Sequence, residues 1–376
     1  MRILQILPYA ERGGTEQHVQ NLVRGLADQA SFSLLSPPGP GLPAGRGLPW
    51  YAFPRLDHHL WAGIRAFRRG VRRALAEQQP DVIHIHAAHE LALLVKTVER
   101  RVPVVLTVHG YGQAAPLEYR LAALTARAAA QAVICVSEEE RRRLVASGLP
   151  AAKVHRIYNG VADPWAPDSE AQARRRAAEF RRRALERLGV SGRGLGSDNP
   201  LLIGTVARLV PAKGLRVLIE AFARMGRRER CGLAIVGSGP QLEELQKLSA
   251  RRQVADRIWF AGAVDQAAQV MSALDIFVLP TLQEALALAV IEAMASGVPV
   301  VATRVGGLPE AVGSAPDGAG GILVPPGDAR ALAAALDRLA EDAGLRRRLG
   351  SAGRRRYEEL FTVQAFAART LAVYQA

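Results

Sequence analysis

The chain has 376 residues, of which 49% are hydrophobic and 22% are charged. That length allows two domains with separate cores, and the composition excludes a chain that is mainly disordered. Because 49 Lys and Arg outnumber 35 Asp and Glu, the net charge is +14, which favours anionic partners; high arginine usage across a whole proteome is the alternative explanation.

The first half of the chain alternates apolar strands with helical patterns, which is typical of a parallel sheet covered on both faces. We predict strands over residues 3–7, 32–35, 82–86, 104–108, 132–136 and 154–158. The start of the chain is a short strand and not a signal peptide, and no charge-free run of about 20 apolar residues occurs. We therefore expect a cytoplasmic protein. Cys135 and Cys231 lie in apolar runs, which predicts buried core residues.

Two small motifs follow strands of this half, at the edge where open α/β sheets bind ligands. Gly13 and Gly14 separate the first strand from a helix and allow a close backbone approach to a ligand, although a plain turn explains them equally well. His109 ends the strand at 104–108. Its side chain is either structural or able to hydrogen-bond a ligand and accept a proton near neutral pH.

Three further histidines, His84, His86 and His89, raise the question of a metal site, since the first two project from one face of a strand. No convincing carboxylate partner accompanies them, and packing in a cleft is the alternative interpretation. We predict that the protein binds no metal.

A basic amphipathic pattern covers residues 61–75. Apolar residues recur there at helical spacing and five Arg occupy the other positions, as in a helix that lies on a membrane. The alternative is an ordinary helix packed on a sheet by the same apolar stripe. Both hold if the Arg side chains face outward.

An Arg-rich stretch at 168–187 predicts a helix, and residues 191–200 have the composition of a linker. We place the domain boundary within 163–199. The predicted organisation is a first domain over 1–165 with a C-terminal helix at about 360–376, a linker region over 166–199, and a second domain over 200–359.

The second half begins again with a strand at 201–207, which Arg208 and Lys213 follow. Two cations at a sheet edge would neutralise a diphosphate, whereas isolated cations are more often solvated. Gly237 and Gly239 follow another apolar strand and form a weak phosphate-binding pattern. Further strands are predicted at 258–261, 276–279, 298–302 and 322–324, and helices at 215–225, 329–339, 344–360 and 363–374.

Residues 275–302 form a strand, a loop, a helix and a second strand, interrupted by Glu284 in the loop and Glu292 about two turns inside the helix. The helix start between them would offer free N–H groups and a partial positive charge; we place it at Leu286, Ala287 and Leu288. A ligand with a central diphosphate and a hydroxylated ring at each end fits this pattern, which describes a nucleotide sugar. The alternative is that both Glu are solvated residues of a surface helix.

This segment resembles the C-terminal signature of the retaining glycosyltransferases of family 4, enzymes of the GT-B fold. The resemblance extends over nearly the whole chain and implies roles for the residues named above. It places Glu284 on the donor sugar and Glu292 on the nucleotide ribose, and His109 beside the reacting carbon. It assigns Arg208 and Lys213 to the leaving diphosphate, Gly13 and Gly14 to the donor phosphates, and Gly237 and Gly239 to the nucleotide. Ala285, Ala287 and Ala212 depart from the family pattern, which often has Gly, Gly and Glu there.

The resemblance implies an α/β protein with two Rossmann-like domains facing across a cleft, and a C-terminal helix that crosses back to the first domain. It implies retaining, metal-independent transfer of a sugar from a UDP-, GDP- or ADP-linked donor, with no other cofactor. We expect a glycan or lipid-linked acceptor in cell-envelope polysaccharide or lipopolysaccharide core synthesis, and peripheral contact with the anionic inner membrane surface. Base-reading motifs are missing, so no nucleic acid is expected. The alternatives are a nucleotide-sugar epimerase or hydrolase of the same fold, and a non-catalytic basic adaptor for membrane or nucleic acid.

Overall fold

The structure, a computed structural model, describes residues 1–9, 13–39, 47–54, 60–110, 116–188, 200–264, 267–313 and 319–376. Its contacts divide the chain into two compact units, Met1–Gly160 with Leu360–Ala376, and Val161–Glu359. Each unit is a parallel sheet flanked by helices, which confirms the predicted α/β class. Residues 191–199 of the linker predicted at 191–200 lie outside the described residues.

The first unit is built on a seven-stranded sheet in the order β3-β2-β1-β4-β5-β6-β7, and every neighbouring pair is parallel. The strands are β1 (Arg2–Ile6), β2 (Ser31–Ser36), β3 (Trp50–Ala52), β4 (Val82–His86), β5 (Val104–Val108), β6 (Ala132–Cys135) and β7 (Val154–Arg156). Its helices are α1 (Gly14–Gly25), α2 (Leu60–Gln78), α3 (Glu90–Lys96), α4 (Pro116–Ala129), α5 (Glu138–Ala146) and the C-terminal α13 (Val363–Gln375).

Two separate apolar clusters cover the two faces of this sheet. One contains buried residues of α2, α3, α4 and α5, and the other contains Leu22 of α1 together with Phe366 and Tyr374 of α13. The C-terminal helix therefore packs on α1 within the first unit. Because helices lie on both faces, the strands are buried on both sides and are largely apolar, with buried exceptions that include Ser33 and Ser36 in β2 and His84 and His86 in β4.

The predicted amphipathic helix forms as α2. Phe67 and Val71 on its apolar side are fully buried in the sheet's core, whereas Arg65, Arg69 and other arginines of α2 are exposed. The interpretation of α2 as a helix packed on the sheet is therefore confirmed, with four of its five Arg side chains outward and Arg68 partly buried.

The second unit contains a six-stranded parallel sheet in the order β10-β9-β8-β11-β12-β13. Its strands are β8 (Leu201–Val206), β9 (Cys231–Val236), β10 (Ile258–Gly262), β11 (Ile276–Leu279), β12 (Val300–Thr303) and β13 (Gly321–Val324). The helices are α6 (Pro167–Arg187), α7 (Leu215–Arg224), α8 (Leu242–Arg251), α9 (Leu288–Ala295), α10 (Leu308–Val312), α11 (Ala329–Glu341) and α12 (Ala343–Leu360).

Helix α6 packs as part of the second unit, whereas the sequence analysis assigned it to a linker. Ala173 and Ala184 are fully buried, and Arg181 pairs with Asp275 at 2.9 Å, next to β11. This packing was not predicted because Arg dominates the sequence of the helix and its narrow buried side consists largely of Ala, which gives a weak apolar pattern. The compact units meet in sequence at Gly160 and Val161.

Two other features differ from the prediction. The short strand β3 was missed because it has only three residues at the edge of the sheet, close to Pro49 and Pro54. The strand predicted at 298–302 begins at Val300, since Pro299 has no N–H for the ladder. Cys135 and Cys231 are buried as predicted, and burial raises the pKa of the Cys231 thiol to about 12. Among the described helices, none is both long enough and apolar enough to cross a bilayer.

Candidate active site

An ion pair lies at the carboxyl edge of the second sheet. Lys213 Nζ donates to Glu284 Oε2 at 2.6 Å, and the two side chains are only 20% and 13% exposed. Lys213 follows β8 and Glu284 follows β11, and these strands are neighbours at the point where the strand order reverses. Open α/β sheets bind ligands at such a point. The fold thus joins two predicted site residues that are far apart in sequence.

Backbone contacts fix the geometry of this pair. The carbonyl of Ala212, just before Lys213, accepts a hydrogen bond from Thr281 Oγ1 at 2.8 Å. Gly306 has φ +54°, and a Cβ at that position would lie 1.6 Å from the carbonyl oxygen of Glu284. A side chain at residue 306 would therefore displace the loop that carries Glu284.

Several polar groups at this edge have no hydrogen-bond partner among the described residues. They are the exposed Arg208 guanidinium after β8, the second carboxylate oxygen of Glu284, and the N–H groups of Leu288 and Ala289 at the start of α9. Together they provide a fixed cation, a hydroxyl acceptor and a helix end. An anionic, hydroxylated ligand would satisfy all of them.

Helix α9 starts later than predicted. Leu286 and Ala287 precede it and are buried, and Ala287 is the N-cap residue in an extended conformation. The reason is a competing contact, because the carbonyl of Ala285 accepts from Gly307 N at 2.8 Å and is not available to the helix. Of the three predicted N–H donors, only Leu288 is at the helix end. Glu292 is consequently one turn inside α9, not two.

The Glu292 carboxylate in α9 is desolvated by the surrounding protein. The side chain keeps partial exposure, but the surrounding protein removes hydration and raises the pKa of its carboxyl to about 7. It makes no side-chain hydrogen bond or ion pair in the described part of the chain. A ligand with paired hydroxyl groups would supply the missing partners, as a ribose does.

Gly237 and Gly239 have a visible structural role at the end of β9. Their turn lies against the loop after β8, where Leu209 N donates to Ser238 O at 2.9 Å. A Cβ on Gly237 would lie 1.9 Å from the carbonyl oxygen of Ala207. The turn therefore supports the loop that presents Arg208, and its contact with a nucleotide stays a prediction.

The predicted residues of the first unit lie at the equivalent edge of the other sheet. Gly13 is the N-cap of α1 and Gly14 its first residue, both in the loop after β1. His109 directly follows β5 and is partly exposed. Strand order in this sheet reverses between β1 and β4, so these residues border its ligand edge.

His109 belongs to a histidine cluster, formed by His18, His84, His86 and His109. The His18 ring lies 4.7 Å from that of His109 and 5.3 Å from that of His86, and the His84 and His86 rings lie 4.1 Å apart. His18, which was not predicted as a site residue, lies inside α1 one turn after Gly14. Its only sequence signal is a polar residue on the buried side of an amphipathic helix.

A chain of hydrogen bonds orients the imidazoles. Gln5 Nε2 donates to Tyr374 Oη, which leaves Gln5 Oε1 to accept from His86 Nε2 at 2.6 Å. His86 Nδ1 then carries a lone pair, which faces His109 Nε2 at the long distance of 3.5 Å. In this arrangement His109 Nε2 carries the proton, and its Nδ1 can accept a hydrogen bond from a ligand hydroxyl.

Burial keeps the cluster neutral. Desolvation lowers the pKa of His18 to about 4 against a weaker opposing effect of its hydrogen bond to Asn159. It also holds the pKa values of His84, His86 and His109 well below the ordinary range, with a further contribution from neighbouring imidazoles. His109 is therefore an uncharged hydrogen-bonding group at neutral pH.

The cluster is also the place where the described residues could hold a metal ion. One ring nitrogen from each of His18, His86 and His109 lies within 4.8 Å of the other two. The predicted candidates were His84, His86 and His89, and only His86 belongs to this set. The His84 ring is hydrogen-bonded to Tyr374 and Thr107, and His89 lies beside Glu90 at the start of α3. The expectation that no metal is required stays a prediction.

Comparison with known proteins identifies the family. Residues 12–163 match the profile described as "Glycosyltransferase Family 4", and residues 200–342 match "Glycosyl transferases group 1". The GDP-mannose-dependent alpha-(1-6)-phosphatidylinositol monomannoside mannosyltransferase of Mycolicibacterium smegmatis is 32% identical over 299 residues, which cover 76% of this chain and 73% of that protein. The chain belongs to glycosyltransferase family 4. The predicted family is thereby confirmed. Because members of this family and the relatives named here are glycosyltransferases, the protein is an enzyme.

Two further comparisons concern a partial sequence match and the fold. The MMP alpha-(1->4)-mannosyltransferase of Mycolicibacterium hassiacum is 37% identical over 176 residues, which cover 46% of this family 4 glycosyltransferase and less than half, 42%, of that protein. The crystal structure of HepE from Anabaena in complex with UDP and glucose superposes with a TM-score of 0.81 at 22% identity, covering all of both chains. That likeness confirms the GT-B fold class.

Proposed function

We propose that this family 4 glycosyltransferase transfers a hexose or related sugar from a nucleotide-sugar donor to a hydroxyl group of a glycan or lipid-linked acceptor, with retention of configuration. The observation that carries the proposal is the Lys213–Glu284 pair at 2.6 Å, next to unpaired groups on the same sheet edge. Glu284 holds the Lys213 ammonium in position and keeps one carboxylate oxygen for the hydroxyls of the sugar.

Each charged group has a separate task on the donor. Arg208 and Lys213 stabilise the negative charge that develops on the leaving diphosphate, together with the N–H groups at the start of α9. Glu292 accepts hydrogen bonds from the ribose hydroxyls, and Gly13, Gly14, Gly237 and Gly239 border the nucleotide and its phosphates. His109 Nδ1 accepts from a hydroxyl of the donor sugar and so orients its reacting carbon.

The proposed reaction uses no protein nucleophile, as the family resemblance implies. The acceptor oxygen forms a bond to the anomeric carbon on the face that the diphosphate leaves, while the bond from that carbon to the phosphate oxygen breaks. The acceptor proton passes to the departing phosphate oxygen. The proposed mechanism assigns stabilisation of the leaving group to Arg208 and Lys213 and uses no metal ion.

The chemistry of relatives supports the two ends of the reaction. The smegmatis relative is named for GDP-mannose and a phosphatidylinositol mannoside, and the HepE structure holds UDP with glucose. A lipid-linked acceptor suits a chain with a net charge of +14, because anionic headgroups attract it. We therefore place the reaction in the synthesis of cell-envelope polysaccharide or lipopolysaccharide, on the inner face of the membrane.

The deciding experiment begins with a thermal-shift panel of UDP, GDP and ADP and their sugars, since a ligand that binds only the folded state raises the melting temperature. We expect a shift with one nucleotide and its loss in Glu292→Ala. The matching donor is then incubated with candidate acceptors, and NMR of the product determines the anomeric configuration. An inverted product would refute the proposed mechanism, and turnover without an acceptor would indicate an epimerase or hydrolase.

A further inference from the structure

An exposed row of leucines marks the outer side of α4. Leu117, Leu121 and Leu124 are 67%, 47% and 65% exposed, and their spacing places them on one side of the helix. The opposite side of α4, including Tyr119 and Ala123, is buried in the core of the first unit. This helix is therefore apolar on two sides, whereas a surface helix ordinarily has a polar outer side.

The apolar surface continues onto the neighbouring helix. Helices α3 and α4 pack against each other, and Leu93 of α3 is 45% exposed. A groove between them is lined by Leu93, Lys96, Thr97, Arg100 and Ala128. Ala128 extends the row of Leu121 and Leu124 by one helical turn. We call Leu93, Leu117, Leu121 and Leu124 the leucine face; grouped apolar surface of this kind marks an interaction site.

Cations border the leucine face. Arg120 and Arg127 are exposed on α4, which carries Glu118 as its one acidic residue, and Arg100 and Arg101 are exposed after α3. Helix α2 packs on α3 on the same side of the sheet and adds exposed arginines at Arg65, Arg69 and Arg72, together with Arg73, which pairs with Glu77 at 2.7 Å. Apolar side chains surrounded by arginine are the pattern of a helix lying in the interface of an anionic bilayer.

Helix α2 itself cannot insert into lipid, because its apolar side is used by the core. Phe67 and Val71 have no exposed surface. Insertion therefore falls to the leucine face, and α2 contributes charge alone. A second copy of the chain is a poorer partner for this face, since pairing it with itself would bring the arginines of both copies together in a desolvated contact.

We propose that the leucine face inserts into the surface of an anionic membrane, while the arginines of α2 and α4 contact lipid phosphates. The proposal rests on the proposed function in one respect, in that such a membrane would carry the lipid-linked acceptor. The binding itself needs neither donor nor acceptor, so it is tested apart from transfer.

The test is co-sedimentation of the full chain with vesicles of phosphatidylcholine mixed with phosphatidylglycerol, and with phosphatidylcholine alone. We expect salt-sensitive binding to the anionic vesicles. The variant Leu117→Gln/Leu121→Gln/Leu124→Gln should weaken that binding about tenfold or more, because it removes the apolar contact and keeps every charge. The matched control is Leu242→Gln on α8, a leucine of the second unit that is 38% exposed.

Two results would overturn the proposal. One is unchanged vesicle binding by the triple variant; the other is no binding of the parent chain to anionic vesicles, in which case a dimer that the triple variant abolishes would identify a second copy as the partner of this face. A retained nucleotide-induced thermal shift checks that the triple variant is folded. Failure of the proposed function has a different signature, in which the parent binds anionic vesicles but neither binds nor uses a nucleotide sugar.

Discussion

In each of the two sheets the strand order reverses once, between β1 and β4 in the first unit and between β8 and β11 in the second. The carboxyl edges at these two points can therefore be compared. The side chains at these edges differ. The second sheet has fixed charges, with Lys213 and Glu284 paired and Arg208 exposed. The first has four neighbouring imidazoles that burial holds in the neutral form.

Under the proposed function, this difference lets one topology serve two chemical tasks. A diphosphate requires cations and helix N–H groups, and the second edge supplies both. A reacting sugar carbon is better placed beside uncharged hydrogen-bonding groups, which orient hydroxyls without attracting the phosphates. The expected experimental signatures also differ, since one edge should respond to loss of charge and the other to acid.

The largest effect should come from Lys213→Ala, which tests whether the charged edge stabilises the leaving group. We expect kcat/KM to fall by about 10²–10³, the usual result of removing one preorganised group that stabilises developing charge. Lys247→Ala is the matched control, because Lys247 pairs with Glu243 on the exposed surface of α8. Steady-state kinetics with the donor found by thermal shift provide the measurement, and turnover equal to that of the control would remove Lys213 from the site.

Acid should affect the two units in opposite directions. The unfolded chain binds protons at its histidines below a pKa of about 6.5, whereas native His18 binds one only near 4. Acidification between these values therefore favours unfolding of the first unit, by roughly 3 kcal/mol for His18 alone. Glu292 changes the free energy of unfolding in the opposite direction, because its native pKa of about 7 exceeds the ordinary 4.5. Its contribution to the stability of the second unit is fully present below pH 4.5 and is lost as the pH rises through 7.

Hydrogen exchange resolved by peptide separates the two units in this experiment. Amides of β4 and β5 should lose protection between about pH 6.5 and about pH 4.5, once corrected for intrinsic exchange, while those of β11 and β12 should not. His18→Gln should reduce the loss, and His155→Gln, a partly exposed histidine outside the cluster, should leave it unchanged. Equal losses in both units would contradict the assigned protonation states.

Sequence periodicity predicted the sheets because buried parallel strands have a strong local signal. Strands β4, β5 and β11 have the predicted bounds; β11 is a continuous apolar run, and β4 and β5 are apolar except for His84, His86 and Thr107. The three-residue β3 has no such signal. The packing of α6 was also not predicted. Its contacts within the second unit depend on a few Ala, on Phe180, whose ring lies 5.1 Å from that of Trp259 in β10, and on Arg181, which no periodicity distinguishes from the other arginines.

The candidate site was predictable residue by residue, but its contacts were not. Glu284 and Lys213 each stand after a strand, yet their 2.6 Å pair depends on the register of β8 with β11 and on Gly306. The start of α9 was placed too early because Ala285 binds Gly307, a contact between distant segments. His18 was missed for the same reason, as β4 and β5 bring its neighbours from more than 60 residues away.

A smaller effect is expected at Gly306, which tests whether backbone approach holds the charged edge in place. In Gly306→Ala the new methyl group would meet the Glu284 carbonyl, whereas in Gly297→Ala, also at positive φ, nothing lies within 4 Å of it. Both variants carry backbone strain of about 1–3 kcal/mol. Only Gly306→Ala should in addition weaken nucleotide binding. Urea unfolding and the nucleotide thermal shift measure the two effects, and equal nucleotide shifts in both variants would show that the loop adapts.

The smallest effect concerns Glu292 and the pH dependence of donor binding. An ionised carboxylate accepts stronger hydrogen bonds from ribose hydroxyls than a protonated one, so affinity should rise as pH increases through about 7. The gain should be about tenfold or less, the difference between a charge-assisted and a neutral hydrogen bond. A nucleotide sugar is the right ligand, because its diphosphate is esterified at both ends and keeps its charge over this range. Glu292→Gln mimics the neutral form and should flatten the profile in isothermal titration calorimetry; a variant that keeps the parent's slope would place the titrating group elsewhere.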